Sequence, residues 1–463
     1  MKNFETYQPA NLQGYPGFSP AILHGKDLLL IPSQGEHNTK VIVGQEGEMR
    51  YEQRQAGEVT RPEPGAFVSR VALPPAEESY LQQLFGNQNP QWYIPERIRD
   101  GIPLDQIILR DPVLLNKLGE LVAGRSLDLY GFSQTPEMSE IAATLGARYY
   151  GNPEFAAWAG TKAGLIDFAA ECGVKTPLTV SIQSPSELPE AAAILLAGGY
   201  TNAVVKANHS TGAMGQKFLS LKEIPGLPSG SDLNKFLPAA FMASEGAVVQ
   251  GWITKAKAVS LSTFVDFDCS YTFTGAQMQL MSNETPPASS GAVPIDERHL
   301  TSVLEVGHKI AAGYVAHNAY GPHGMDMLIP DPEICEQLGL KFGEPLCHDE
   351  NTRTSATMIS RAWMLAITEG RFGVGWKDAK IKLPTGTKIG NVIETLRQHN
   401  LLLTQTGAEE SGVFVYNGAV LDYGHEDACY ALAISGKDDP AEAVALIDQA
   451  VNCLGGNLVG VSG

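Results

Sequence analysis

Asp349, Asn351 and Arg353 alternate along the stretch Cys347 to Ser355 (CHDENTRTS), with Glu350 and Thr352 between them. On a β-strand, side chains two apart share a face, so these three would point one way and Glu350 and Thr352 the other. A carboxylate, an amide and a guanidinium on one face make a poor core and a plausible site. Asp326 interrupts the apolar run GMDMLI. A carboxylate there needs a cation, a metal or several donors, unless it lies on the solvent face of an edge strand. With Asp349 and Asn351 it would complete an oxygen-only set suited to Mg2+, which takes a few carboxylates and adds phosphate oxygens.

Two lysines offer positive charge. Lys206 ends the apolar run AVVK and precedes a small-residue loop, 208–215 (NHSTGAMG). In that loop Ser210, Thr211, Gly212 and Gly215 would let backbone N–H groups approach phosphate oxygens. A strand follows rather than a helix, so neither a Walker A loop nor a dinucleotide-binding turn fits, and a hairpin loop is the plainer reading. Lys162 follows a candidate N-cap, Thr161, and opens a helix whose Leu165, Phe168 and Ala169 form the buried face. A cation at that positive helix end costs about 0.3–1 kcal/mol unless an anion lies close. An exposed, solvated lysine is again the plainer alternative. The histidines, among them His209, His308, His317, His323 and His348, show no metal-ligand spacing, and no G-x-S-x-G elbow supports a nucleophilic hydrolase.

These residues need elements to hold them. The 463 residues correspond to about three domains at roughly 150 residues each. SLDLYGF, TPEMSEIAATLG and ARYYG read as strand, helix and strand, with Thr135 capping, and predict a small α/β domain closing near Gly151. The stretch from Gln45 to Gly65 is polar and reads as loop-rich. DPVLLNKLGELVAG predicts a helix stopping at Gly124, and NPEFAAWAGTKAGLIDFAAECG a helical region ending at Gly173. From Thr201 to about Ile329 the texture is strand-rich, through TNAVVKA, QKFLSL, GAVVQGWI, AVSLSTFVDF and TFTGAQMQLM. The helix HLTSVLEVGHKIAAGYV precedes GMDMLIP, and a long loop, PDPEICEQLGLKFGEP, separates that strand from LCHDENTR. The helix SATMISRAWMLAITEG follows. The last hundred residues hold VFVYNGAVLD, ACYALAISG and the helix DPAEAVALIDQAVNCLGG.

Bulk properties exclude several classes. With 51 acidic against 33 basic residues the net charge is −18, which argues against a nucleic-acid partner but leaves room for a local anion pocket. Six scattered cysteines form neither a disulfide framework nor a zinc site. The N-terminal residues show no apolar signal-peptide core and no window reads as a membrane span, so the expectation is a cytoplasmic protein without a membrane partner. For oligomeric state a homodimer is the prior.

The order of the pieces resembles the ATP-grasp superfamily. GTKAGLIDFAAECGVKTP is similar to its opening lysine, helix and strand, VVQGWI to its interdomain hinge, and GMDMLI with HDENTR to its paired metal strands. The resemblance covers about 145–360, and LGARYYGNPEFAAWAGTKAG resembles the peptide ligases with a pre-ATP-grasp domain, of the pheganomycin ligase type. It implies a mixed α/β (α+β) ATP-grasp fold: an N-terminal pre-ATP-grasp domain over 1–155, a core over 156–365 and a small C-terminal extension over 366–463. It implies an ATP-dependent carboxylate–amine ligase that joins amino-acid or peptide carboxylates to amines through an acyl phosphate. Lys162 and Lys206 would contact the ATP phosphates under a lid formed by 208–215, with Ser210, Thr211, Gly212 and Gly215. Gln250, Gly251, Trp252 and Ile253 would line the adenine, chiefly through the backbone of Gly251 and Ile253. Asp326, Asp349 and Asn351 would hold Mg2+, and Arg353, with Lys206, would act on the transferring group. Asp349 stands where glutamate is usual, and Ser260 or Ser262 would stand in for the missing ribose-holding acid. The rivals are a non-catalytic nucleotide-binding scaffold or regulator of the same fold, and an NAD-dependent oxidoreductase, which the missing Gly-rich turn after SLDLYGF disfavours.

Overall fold

A computed structural model describes residues 8–12, 15–19, 26–33, 52–61, 63–96, 101–209, 215–226, 231–238, 246–281, 289–373, 375–423 and 427–459. Strand β1 (Leu28–Ile31) has no exposed residue, and its alternate side chains enter two different cores. Leu28 and Leu30 face one core, Leu29 and Ile31 the other, as expected of a parallel strand covered on both faces. It pairs in parallel with β2 (Ala66–Val68) and β4 (Asp128–Gly131), and β3 (Gln91–Tyr93) and β5 (Tyr149–Tyr150) complete a five-stranded sheet in the order β3-β2-β1-β4-β5. The Pro136–Leu145 helix between β4 and β5 is capped by Thr135 Oγ1. The helix read as stopping at Gly124 runs on over Pro112–Arg125 and ends at Ser126 in the left-handed conformation. The single helical region read after Gly151 divides into Pro153–Ala159 and Lys162–Glu171.

Two antiparallel sheets follow. Strands β6 (Thr179–Ile182), β7 (Asn202–Ala207), β8 (Gln216–Ser220) and β9 (Ala247–Gly251) form a lobe in the order β6-β9-β7-β8, with its own core against the Leu188–Ala197 helix. Strands β10 (Ala256–Val265), β11 (Tyr271–Met281), β12 (Ser289–Pro294), β13 (Gly321–Pro330) and β14 (Leu346–Asn351) form the larger sheet, ordered β12-β11-β10-β13-β14. The long loop expected between β13 and β14 contains a helix, Pro332–Leu338. Finally β15 (Trp376–Lys382), β16 (Gly412–Tyr416), β17 (Ala428–Ile434) and β18 (Asn457–Val459) make a four-stranded sheet, β16-β17-β15-β18. Among the described residues no helix is long and apolar enough to cross a membrane.

The polar stretch read as loop-rich is instead interior where it is described. Every residue from Glu52 to Arg61 is buried, with a 3-10 helix over Gln53–Glu58. Glu52 pairs with Arg70 at 3.1 Å, and Arg54 Nη1 donates to the Tyr430 hydroxyl at 3.0 Å, fastening the first sheet to the last. Trp363, 1 % exposed, donates its indole N–H to the Arg54 carbonyl at 2.7 Å and packs on Phe85 and Phe414. Trp363→Ala removes that bond and a large buried ring, and should lower unfolding free energy by about 3–5 kcal/mol in chemical denaturation.

Candidate functional site

The register of β13 against β14 sets Asp326 directly opposite Asp349, and Gly324 opposite Asn351. Next to Asp326 the ladder is irregular. Asp326 faces Asp349 while Met327 faces Cys347, so His348 is the extra residue of a β-bulge. Its carbonyl is thereby turned out of the ladder and accepts a hydrogen bond from Lys206 Nζ at 3.1 Å. Lys206 is the penultimate residue of β7 in the smaller lobe and is 2 % exposed, so one lysine joins the two sheets at the bulge.

Lys162 reaches the same point from the other side, with Nζ paired to Asp349 Oδ1. Three bonds fix the start of its helix. Thr161 Oγ1 accepts from Gly164 N–H at 2.9 Å, and Asn208 accepts twice, its carbonyl from Lys162 N–H at 3.0 Å and its Oδ1 from Ala163 N–H at 2.9 Å. Asn208 therefore ties the end of β7 to the helix that presents Lys162. Before this helix Gly160 allows close approach, since a Cβ there would meet Thr352 Oγ1 at 2.6 Å.

Asp326 has two neutral neighbours, Gln279 Nε2 donating at 3.1 Å and Asn351 Nδ2 at 3.2 Å. The two carboxylates consequently differ in proton affinity. Burial, with Asp349 alongside, pushes Asp326 up to about 7. Burial also acts on Asp349, but the ammonium groups of Lys162 and Lys206 outweigh it and hold that carboxyl at about 2. Burial lowers Lys206 to about 8 against the attraction of Asp349. Burial and Lys206 keep the His348 imidazole neutral, at about 3.

The predicted alternation holds where it matters. Glu350 turns to the opposite face of β14, into the core, where the Tyr314 hydroxyl donates to Oε2 at 2.7 Å and His323 Nδ1 lies 3.6 Å from Oε1. Arg353 lies past the strand end, its guanidinium 5.1 Å from the Phe132 ring centre and its backbone bridged to Ser133. Lys162, Lys206, Asp326, Asp349 and Asn351 thus converge, with Arg353 at the margin and close enough to favour ionised Asp326.

Gln250, Gly251, Trp252 and Ile253 lie along β9 and just beyond it, with Gln250 opposite Val204, two residues before Lys206 on β7. Gly251 N–H is committed to the Leu178 carbonyl at 2.8 Å and Trp252 N–H to Asn202 at 2.9 Å; Ile253 is buried in the lobe core. Of the loop, Gly215 is described, with φ +73°, a conformation that suits glycine, whereas Ser210, Thr211 and Gly212 fall outside the described residues. Ser260 and Ser262 stand opposite Asp326 and Gly324 on β10, so they belong to the carboxylate face of the larger sheet. Gln279 and Asn208 escaped sequence reading, because an amide in a strand-rich run carries no signal without its register.

Among the described residues no three or more His, Cys, Asp or Glu side chains form a metal cluster. The donor set is two carboxylates and one amide. This suits a hard cation that completes its shell with water or phosphate oxygens rather than one caged by protein alone.

The asymmetry of the pair has a stability consequence. An acid whose folded-state value is raised favours the folded protein while protonated, and this advantage fades as pH rises from about 4 through about 7. Asp326→Asn should therefore raise the melting temperature of metal-free protein at pH 8, with a smaller effect at pH 5, in thermal melts with chelator. Asp349 has the opposite sign: its contribution is present above about 4 and is lost as pH falls toward about 2.

No protein-family profile matches the chain, and no curated protein sequence matches it. Solved structures do. An N5-carboxyaminoimidazole ribonucleotide synthetase in its ADP complex superposes with a TM-score of 0.56 at 13 % identity, over 93 % of this chain and 97 % of that one. A biotin carboxylase from Campylobacter jejuni gives 0.55 at 12 % identity, covering 94 % and 93 %. The biotin carboxylase domain of a 2-oxoglutarate carboxylase from Hydrogenobacter thermophilus, bound to MgADP, ADP and bicarbonate, gives 0.52 at 12 % identity, covering 94 % and 91 %. The likeness spans nearly the whole chain, N-terminal parallel sheet and C-terminal sheet included, and the fold is that of the ATP-grasp enzymes.

Proposed function

We propose that the chain is an ATP- and Mg2+-dependent carboxylate–amine ligase that makes a peptide or amide bond and releases ADP and phosphate. The observation that carries this is the convergence, within an ATP-grasp fold, of two lysines beside one member of a cross-strand carboxylate pair, Lys162 bonded to Asp349 itself and Lys206 to the His348 carbonyl next to it. In the structure the Lys162 ammonium neutralises Asp349, and among the described residues Asp326 has no lysine as a hydrogen-bond partner. A divalent cation between the strands would satisfy both carboxylates, with Asn351 as third donor, and would release Lys162 and Lys206 to the phosphates of ATP. When bound, Mg2+ supplies charge neutralisation at the phosphoryl oxygens.

The remaining roles fall to the chain. The substrate carboxylate oxygen attacks the γ-phosphorus, the bond to the β–γ bridging oxygen breaks, and ADP leaves. Lys162, Lys206 and Arg353 offset the negative charge on the moving group. The amine then attacks the acyl carbon, phosphate departs, and the nitrogen gives up a proton to form the amide. The 208–215 loop would close over the phosphates and keep water from the acyl phosphate. Gln250 to Ile253 would flank the adenine, with Gly251 offering no free N–H. The same reading takes in the narrower likeness to pre-ATP-grasp peptide ligases, the division at 155 and 365, a cytoplasmic setting and a homodimer.

Incubation with Mg2+–ATP, pooled amino acids and short peptides should yield substrate-dependent ADP and phosphate. Lys206→Ala and Arg353→Ala should each lower the rate by about 10²–10³-fold in the same assay. AMP with pyrophosphate would overturn the acyl-phosphate route in favour of adenylation.

A further inference from the structure

Ser260 and Ser262, the residues the sequence offered for the sugar of ATP, are 1 % and 0 % exposed, and the Ser262 hydroxyl accepts from the buried Arg361 Nη1 at 3.4 Å. The register of the larger sheet points to a different side chain on the same face. Asp349, Asp326, Ser260 and Gln277 stand side by side across β14, β13, β10 and β11 as a polar row. Two residues nearer the lobe, about 7 Å along the strands, runs a second row of Leu346, Leu328, Ala258, Gln279 and Ala292. Alternate residues share a face, so both rows look to the same side of the sheet. Leu346, Leu328 and Ala258 share the lobe core with Ile253.

Gln279 is the polar member of that second row, and it is half-buried. An amide among leucine and alanine side chains is costly unless it is bonded. The Gln279 side chain passes β10, where it faces the small residues Ala258 and Ser260, and its Nε2 donates to Asp326 Oδ1 at 3.1 Å. Asp326 Oδ2 is taken by Asn351 Nδ2. With a cation between the strands Asp326 is ionised and can only accept, so the Gln279 nitrogen stays on it. An amide is planar, and fixing its nitrogen fixes its oxygen. Gln279 Oε1 is left as an acceptor, and it meets no donor among the described residues. The complement of that atom is a hydroxyl or an N–H brought by a ligand.

Resting on the ATP reading above, we propose that Gln279 Oε1 accepts a hydrogen bond from a ribose hydroxyl of the nucleotide and so selects a ribonucleotide. Base, sugar and phosphates follow one another in ATP. With the base at Ile253, beside the apolar row, and the phosphates at the carboxylate pair, the sugar falls at the boundary of the two rows, where Gln279 sits. The amine substrate is the other donor in the reaction. It attacks beside Arg353, which lies past the Asn351 end of β14 and away from the lobe. One side chain thereby links the sugar, through its oxygen, to the carboxylate pair, through its nitrogen.

Calorimetric titration of the full-length protein with the magnesium complexes of ADP, 2′-deoxyADP and 3′-deoxyADP tests this. The parent should bind MgADP about tenfold more tightly than one of the deoxy forms, the loss expected of one hydrogen bond. Gln279→Met keeps the length and bulk of the side chain without its polar atoms. It should bind MgADP about tenfold more weakly than the parent and no longer distinguish it from that deoxy form. Gln279→Asn, an amide drawn back by one methylene, should lose the discrimination as well. A side chain that merely supported Asp326 would weaken all three nucleotides alike on substitution and leave the discrimination intact, and that result overturns the proposal. Equal binding of MgADP and both deoxy forms to the parent also overturns it, with the ligase reading untouched. Failure of the folded parent to bind MgADP at all would sink the two readings together.

Discussion

Two carboxylates placed opposite each other on neighbouring strands repel, and the site is organised around that repulsion. Direct cross-strand juxtaposition of like charges is normally destabilising. Here Asp349 is relieved by Lys162 and Lys206, while Asp326 is bonded by the neutral amides of Gln279 and Asn351, with Arg353 further off, and keeps its proton to near neutrality. The pair therefore carries less negative charge in the free protein than its two acids would suggest. Part of the positive charge that offsets it comes from lysines that can be drawn to another anion.

Precision at this point is assembled from distant parts of the chain. The bulge at His348 supplies the carbonyl that orients Lys206, and Asn208 clamps the helix that delivers Lys162. Behind the strand, Glu350 is fixed by Tyr314 and flanked by His323, and the Tyr314 ring stacks on Phe168 of the Lys162 helix at 5.4 Å. The face with the carboxylates and the face against the core are thus braced by the same helix. Elsewhere in the interior Glu52 and Arg70 answer one another within the protein.

Legibility followed the range of the interactions. The Thr135 and Thr161 caps, the hydrophobic faces behind Lys162 and the alternation from Asp349 to Asn351 depend on residues within a turn or a strand, and sequence spacing reports them. The segment from Glu52 to Arg61 misled, because polarity predicts exposure and its partners, Arg70, Tyr430 and Trp363, lie up to hundreds of residues away. The helix inside the β13–β14 connection was hidden by flanking Pro and Gly residues, which read as a loop.

By itself the sequence determined which residues could do chemistry and which element each would ride on, because side-chain type and local period are properties of short stretches. It carried the order of lysine, helix, strand, loop and paired acidic strands, and through that order the fold. Register, by contrast, belongs to pairs of strands. Only the tertiary structure decided that Asp326 would face Asp349, that one residue of bulge would turn a carbonyl toward Lys206, and that Gln279 would reach across β10 to Asp326. A shift of a single residue would have sent each of those side chains to the opposite face.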